Sequence, residues 1–105
     1  MVARVWKATL ASTRVAEYRR HFDDRVIPAL IRTSGYLGAQ VLITPDVDPA
    51  ELVVVTWWSS LDAIRAFAGP DVRRAVVDPE ARAMLMRCEE TVTLYDVIDD
   101  RRSDG

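Results

Sequence analysis

The sequence holds one cysteine, one histidine and one lysine in 105 residues. Cys88 has no intrachain partner, so no disulfide frames the fold and no oxidising compartment is indicated; a small buried hydrophobe is its default role. The single histidine, His21, has no second ligand at matching spacing, and no metal is expected. Asp46, Asp48 and Glu51 lack the glycine of a calcium loop and read as solvated turn charges. No apolar run reaches the roughly 20 residues of a membrane span, and the start MVARVWKATL lacks a signal peptide's layout. A cytoplasmic protein that does not engage membranes is the expectation. Neither charge sign dominates: 14 basic against 16 acidic residues leave −2. Nucleic acid is therefore not an expected partner. Gly-rich phosphate loops, G-x-S-x-G elbows and paired-carboxylate motifs are missing too, which removes classical hydrolytic and nucleotide chemistry.

What is present suits one globular domain: half the residues are hydrophobic and 29% are charged. Residues 1–98 read as that domain, and 99–105 as a polar tail prone to fraying. Val2–Leu10 is rich in β-branched and aromatic residues and predicts a first strand. Ser12 or Thr13 then caps a helix whose apolar face is Val15, Tyr18, Phe22, Val26 and Leu30, with Pro28 interrupting it and Gly35 ending it. Tyr36–Thr44 predicts a second strand with Leu37, Ala39, Val41 and Ile43 in alternation. Pro45 and Pro49 bound a turn, and Glu51–Trp58 predicts a third strand. Ser59-Ser60-Leu61-Asp62 opens a helix to Ala68, stopped by Gly69-Pro70. Asp71–Val77 predicts a further helical turn or two. Asp78-Pro79-Glu80 starts a helix carrying Ala83, Met84, Leu85 and Met86, and Cys88–Ile98 predicts a fourth strand.

The order β-α-β-β-α-β predicts an α+β, ferredoxin-like domain, a four-stranded antiparallel sheet with helices on one face. Strand three is apolar on both faces: Val54, Thr56 and Trp58 oppose Val53, Val55 and Trp57. The chain's own helices cover only one face, so the second set predicts a homodimer packed sheet against sheet.

Chemistry has few candidates. Trp6, Tyr18, Phe22, Tyr36, Trp58 and Phe67 come from elements that bound the space between helices and sheet, where rings either fill a core or wall a site for a flat ligand. Arg4 shares a strand face with Val2 and Trp6. If buried, its guanidinium needs a partner: Asp62, Glu90, or an acidic or phenolate ligand. His21 lies beside the apolar helix face, as a structural side chain or as a proton acceptor.

Three stretches, Val2-Ala3-Arg4-Val5-Trp6, Trp58 through Gly69, and Thr91 through Val97, resemble the antibiotic biosynthesis monooxygenase superfamily over about residues 2–98. The resemblance implies a dimeric α+β barrel. It implies either cofactor-free oxygenation of polyphenolic compounds or haem degradation. The haem-degrading branch uses an asparagine, a tryptophan and a histidine; their places here fall at Trp6, at Trp58 and near Val77, so only the tryptophan is kept and haem chemistry is disfavoured. The expectation is a monooxygenase without cofactor acting on a small aromatic, polyphenolic or quinol-like compound. Trp58, Arg4 and His21 are its catalytic candidates, and Trp6, Tyr18, Phe22, Tyr36 and Phe67 its pocket. The alternative is a dimeric module that binds a small molecule without turnover.

Overall fold

Strand β1 (Val2–Leu10) is the centre of the molecule, because both edges of its backbone are paired. One edge carries β3 (Ala50–Trp58) over its whole length, Val2 opposite Trp58 and Leu10 opposite Ala50. Beyond β3 lies β2 (Tyr36–Ile43), also antiparallel. The other edge of β1 takes β4 (Arg87–Cys88) and β5 (Thr93–Asp96) in turn. The computed structural model describes residues 1–102. The last three residues of the expected tail lie outside them.

The antiparallel βαββαβ topology matches the sequence reading, but the barrel does not. Strand order is β2-β3-β1-β4, with β5 also on β1, and no ladder joins β2 to β4 or β5. The sheet is open, four strands wide, about half the eight strands that close around a side-chain-filled interior. The expected α+β barrel is corrected to an open sheet backed by helices.

The first helical region follows the sequence with one refinement at its proline. A short 3₁₀ turn, Ser12–Arg14, leads into α1 (Val15–His21), a π-helical turn spans Phe22–Val26, and α2 (Ile27–Ile31) resumes the α pitch. The ring of Pro28 crowds the preceding turn and supplies no N–H. The wide turn just before it absorbs that mismatch, with Ile27 N–H donating to the Phe22 carbonyl. Helix α3 (Leu61–Ala68) is capped as expected, Ser60 Oγ accepting from Ala63 N–H at 3.2 Å. Helix α4 (Pro79–Met84) is capped by Asp78 Oδ1 on Ala81 N–H at 2.8 Å.

Three local expectations change. Residues 71–77 form a turn and a bridge from Arg74 to Thr91, not a helix, since their backbone bonds go to the 90–92 segment: Ala75 N–H to Glu90 O and Val92 N–H to Arg73 O. The fourth strand is split. Between Ala8 opposite Cys88 and Val5 opposite Thr93, three steps on β1 face five on the partner, so two residues bulge out of the ladder. In β2 a bulge at Leu37 moves that residue out of the alternation, and Tyr36, Ala39, Val41 and Ile43 share the face of Trp58, Thr56, Val54 and Leu52.

That face meets the helices. Trp58, Leu10 and Leu52 from the sheet and Leu30 and Ile64 from the helices are the fully enclosed side chains at this contact, each stabilising by about 1.5–3 kcal/mol. On the opposite face sit Val53, Val55 and Trp57, the expected interface set. Val55 is buried, Val53 and Trp57 are half-buried, and the Arg102 guanidinium lies 5.4 Å from the Trp57 ring centre.

Two glycines with φ of +92° separate backbone strain from packing. A Cβ on Gly69 would meet open space, whereas one on Gly35 would sit 2.5 Å from Ala63 Cβ and 2.7 Å from Ser59 Oγ. Chemical denaturation should therefore show Gly69→Ala costing about 1–3 kcal/mol for the backbone alone. Gly35→Ala should add roughly 1–3 kcal/mol of overpacking. Equal losses in the two variants would refute this account of the β2 entry.

Candidate functional site

Strand geometry sends Arg4 and Trp6 to the helix-facing side of β1, opposite Thr56 and Val54. Above them a small cavity of about 60 Å³ opens, walled by Trp6, Tyr18, Phe22 and Phe67, with Arg4, His21, Thr56 and Asp78 as its polar members. Helix α1 and the π turn supply Tyr18, His21 and Phe22 from one face. Val76, Val77 and Asp78 come from the 71–78 segment.

Arg4 is the dominant electrostatic feature. It is 6% exposed. Its Nη2 donates to the Arg74 carbonyl at 2.6 Å, and its guanidinium carbon stands 5.8 Å from the Phe67 ring centre, within cation–π range. Its Nε has no partner. Neither carboxylate proposed for it from sequence is engaged: Glu90 forms a bidentate pair with Arg82 at 3.0 Å, and Asp62 pairs with Arg65. Burial pulls the Arg4 pKa down to about 10, still cationic at neutral pH.

His21 is 4% exposed, between two acids. Nε2 lies 3.3 Å from Asp78 Oδ2 and Nδ1 lies 3.6 Å from Glu80 Oε1, yet neither contact has hydrogen-bond alignment. Tyr18 packs at 6.1 Å from the His21 ring, and its hydroxyl is pushed up by burial first and by the Asp78 charge second. Tyr18, His21 and Asp78 thus cluster with one another, and the Arg4 guanidinium lines the same cavity.

The sequence candidates divide by what their polar atoms already do. Arg4, Trp6, Tyr18, His21, Phe22 and Phe67 all line the cavity. Trp58 and Tyr36 do not line it. Trp58 is completely enclosed, donates Nε1–H to Thr56 Oγ1 at 2.8 Å and packs between Tyr36 and Phe67. The Trp6 indole N–H is spent on the Glu89 carbonyl at 2.9 Å, a group delivered by the bulge after β4. Asp78 and Thr56 are members that sequence reasoning passed over. Asp78 was visible only as a helix cap, and nothing local reveals that its second oxygen turns to His21.

Val77, at the place the resemblance assigned to a haem-branch histidine, is aliphatic and offers iron no ligand; the cavity it lines has room for about two waters. Among the described residues no group of three His, Cys, Asp or Glu side chains could hold a metal ion, and no helix is long and apolar enough to cross a membrane.

Comparison with known structures places this site in context. A variant of MhuD with two manganese protoporphyrin IX molecules per active site is 20% identical, with a TM-score of 0.71, covering 98% of this chain and all of that one. A variant of SnoaB, a cofactor-independent oxygenase from Streptomyces nogalater, is 21% identical over 94% of each chain, with a TM-score of 0.69. A Bacillus cereus protein described as an antibiotic biosynthesis monooxygenase is 15% identical, with a TM-score of 0.70, covering all of this chain and 98% of that one. These likenesses establish the fold, which oxygenases and porphyrin-binding proteins share. No curated protein matches the sequence. The family model for antibiotic biosynthesis monooxygenase matches residues 1–78, which include every cavity-lining residue but Ala81, and the chain belongs to that family.

Proposed function

We propose that the protein is a monooxygenase that works without a cofactor on a small phenolic or quinol-like aromatic compound. The observation that carries this reading is the buried Arg4 guanidinium, without a carboxylate partner among the described residues, facing an aromatic-walled cavity. A buried cation of this kind favours the ionised form of a phenol by charge and by N–H donation. Ionisation makes the ring electron-rich enough to pass one electron to molecular oxygen. Recombination forms a carbon–oxygen bond and a hydroperoxide at the ring carbon. Loss of water from that carbon leaves a quinone, so phenol plus O2 becomes quinone plus H2O without external reductant. The proton released on ionisation goes to the His21–Asp78 pair, where Glu80 also faces the imidazole. Trp6, Phe22 and Phe67 orient the ring and exclude water, and Trp58 holds Thr56 and Phe67 in place from behind the wall.

Oxygen uptake by metal-free protein with a panel of hydroxyanthrones and naphthols tests the reaction. Arg4→Met should lower kcat about 10²–10³-fold, the usual loss for one anion-stabilising donor. Removing His21 with Gln should cost about 10²–10⁴-fold. A ligand that binds and is recovered unchanged after aerobic incubation would replace the enzyme reading with the binding-module one.

Arg4 also predicts a stability signature. Its folded pKa lies below its unfolded value, so the charged form is penalised in the native state at every pH below about 10. The penalty fades as pH rises through about 10 and the folded-state group loses its proton. Arg4→Met should therefore raise Tm at pH 7, and the gain should shrink above pH 10. A lower Tm for Arg4→Met at pH 7 would contradict the unpaired-cation account.

The assembly we propose is a homodimer through the sheet face opposite the helices, with Val53, Val55 and Trp57 at its centre. Supporting it, the strand keeps apolar side chains, the half-buried Val53 and Trp57 among them, on a face its own helices leave open. Trp57→Asp should give monomer or aggregate in sedimentation equilibrium. A well-folded wild-type monomer at micromolar concentration would exclude this dimer.

A further inference from the structure

The cavity beside Arg4, at about 60 Å³, is smaller than an aromatic ring system needs, whereas small-molecule pockets commonly enclose about 300–1,000 Å³. Immediately behind its wall lies a groove of about 410 Å³ between α1 and the outer strand β2, floored by Leu10 and Leu52 and flanked by Val15, Val41 and Ile43. Tyr18 and Phe22 line both spaces, so two side chains form the partition between them. The groove's polar rim is limited to Arg19 and Asp23. Val41 and Ile43, which point into it, are 39% and 38% exposed, unusual for β-branched residues on the core-facing side of a sheet. The two spaces differ in where their charge sits: the small cavity holds the buried Arg4 guanidinium, whereas the groove is floored by hydrocarbon and carries its charges, Arg19 and Asp23, at the rim.

We propose that the ligand is an amphipathic phenol whose acidic oxygen lies at Arg4 and whose apolar substituent, several carbons long, lies in the groove between α1 and β2. This rests on the reading of Arg4 as an anion site given above, and it adds the second half of the ligand. Entry requires the Phe22 ring to turn out of the partition. Phe22 opens the π-helical turn, where the backbone departs from the α pitch before Pro28.

A series of 4-alkylphenols from ethyl to octyl, titrated calorimetrically into the whole protein, reads both halves separately. Affinity should rise with chain length by about two- to fourfold per methylene, up to the ~0.8 kcal/mol of a fully buried CH₂, and then level off when the groove is full. Val41→Arg and Ile43→Arg, both at partly exposed positions that tolerate a long side chain, should flatten that rise. Arg4→Met should weaken every member by the same factor and leave the slope intact. A flat series in the wild type, or a slope that survives both groove substitutions, would overturn the inference. A flat series together with loss of dimer in the two groove variants would also overturn it, assigning the groove to a second copy. A normal slope with no effect of Arg4→Met would instead remove the anion reading and leave the groove assignment standing.

Discussion

An unpaired guanidinium buried against aromatic carbon is a costly group, and the contacts that hold it join separate parts of the fold. Taking a cation out of water costs several kcal/mol even after local relaxation. Arg4 recovers part of that through the Arg74 carbonyl and the face of Phe67. Those two contacts come from the 71–78 segment and from α3, so the position of one side chain on β1 ties three elements together. The double bulge between β4 and β5 completes the arrangement. Within it the Glu89 amide still bonds Lys7 on β1, but the Glu89 and Glu90 carbonyls turn to receive the Trp6 indole and the Ala75 amide.

Charge pairing elsewhere keeps that cation available. Arg82 and Glu90 satisfy each other at the surface, as do Arg65 and Asp62 and Arg14 and Glu17. These exposed pairs contribute little to stability. Asp62 and Glu90, the two acids the sequence offered to Arg4, are each held by another arginine, while Asp78, which lines the same cavity, faces His21. Burying Arg4 without a carboxylate costs stability, a cost of the kind that functional groups commonly carry.

The same scaffold serves different chemistry in the proteins it resembles, a cofactor-independent oxygenase and a porphyrin-binding protein among them. Fold alone therefore assigns no reaction. What distinguishes the cavity of this chain is its side chains: valine at position 77, an imidazole flanked by Asp78 and Glu80, and a partition of Tyr18 and Phe22 between the small cavity that holds Arg4 and a larger groove.

Local chemistry made the elements and their order legible from sequence. The alternation in β3, the Ser60 and Asp78 caps and the effect of Pro28 each depend on neighbours a few residues away, and each appears as expected. Six aromatic and polar candidates for the cavity were also legible, because period 2 on β1 and period 3.6 on α1 dictate which side chains face inward. Long-range pairing was not. The residues 71–77 carry helix-compatible side chains, yet their amides and carbonyls bond the bulged 89–92 segment, some 15 to 20 positions away. Whether the sheet closes depends on ladders between edges that no local pattern encodes, and here the edges stay apart. Which carboxylate Arg4 would find was equally hidden. The acids were countable in the sequence, but their capture by nearer arginines follows only from distances in the folded chain.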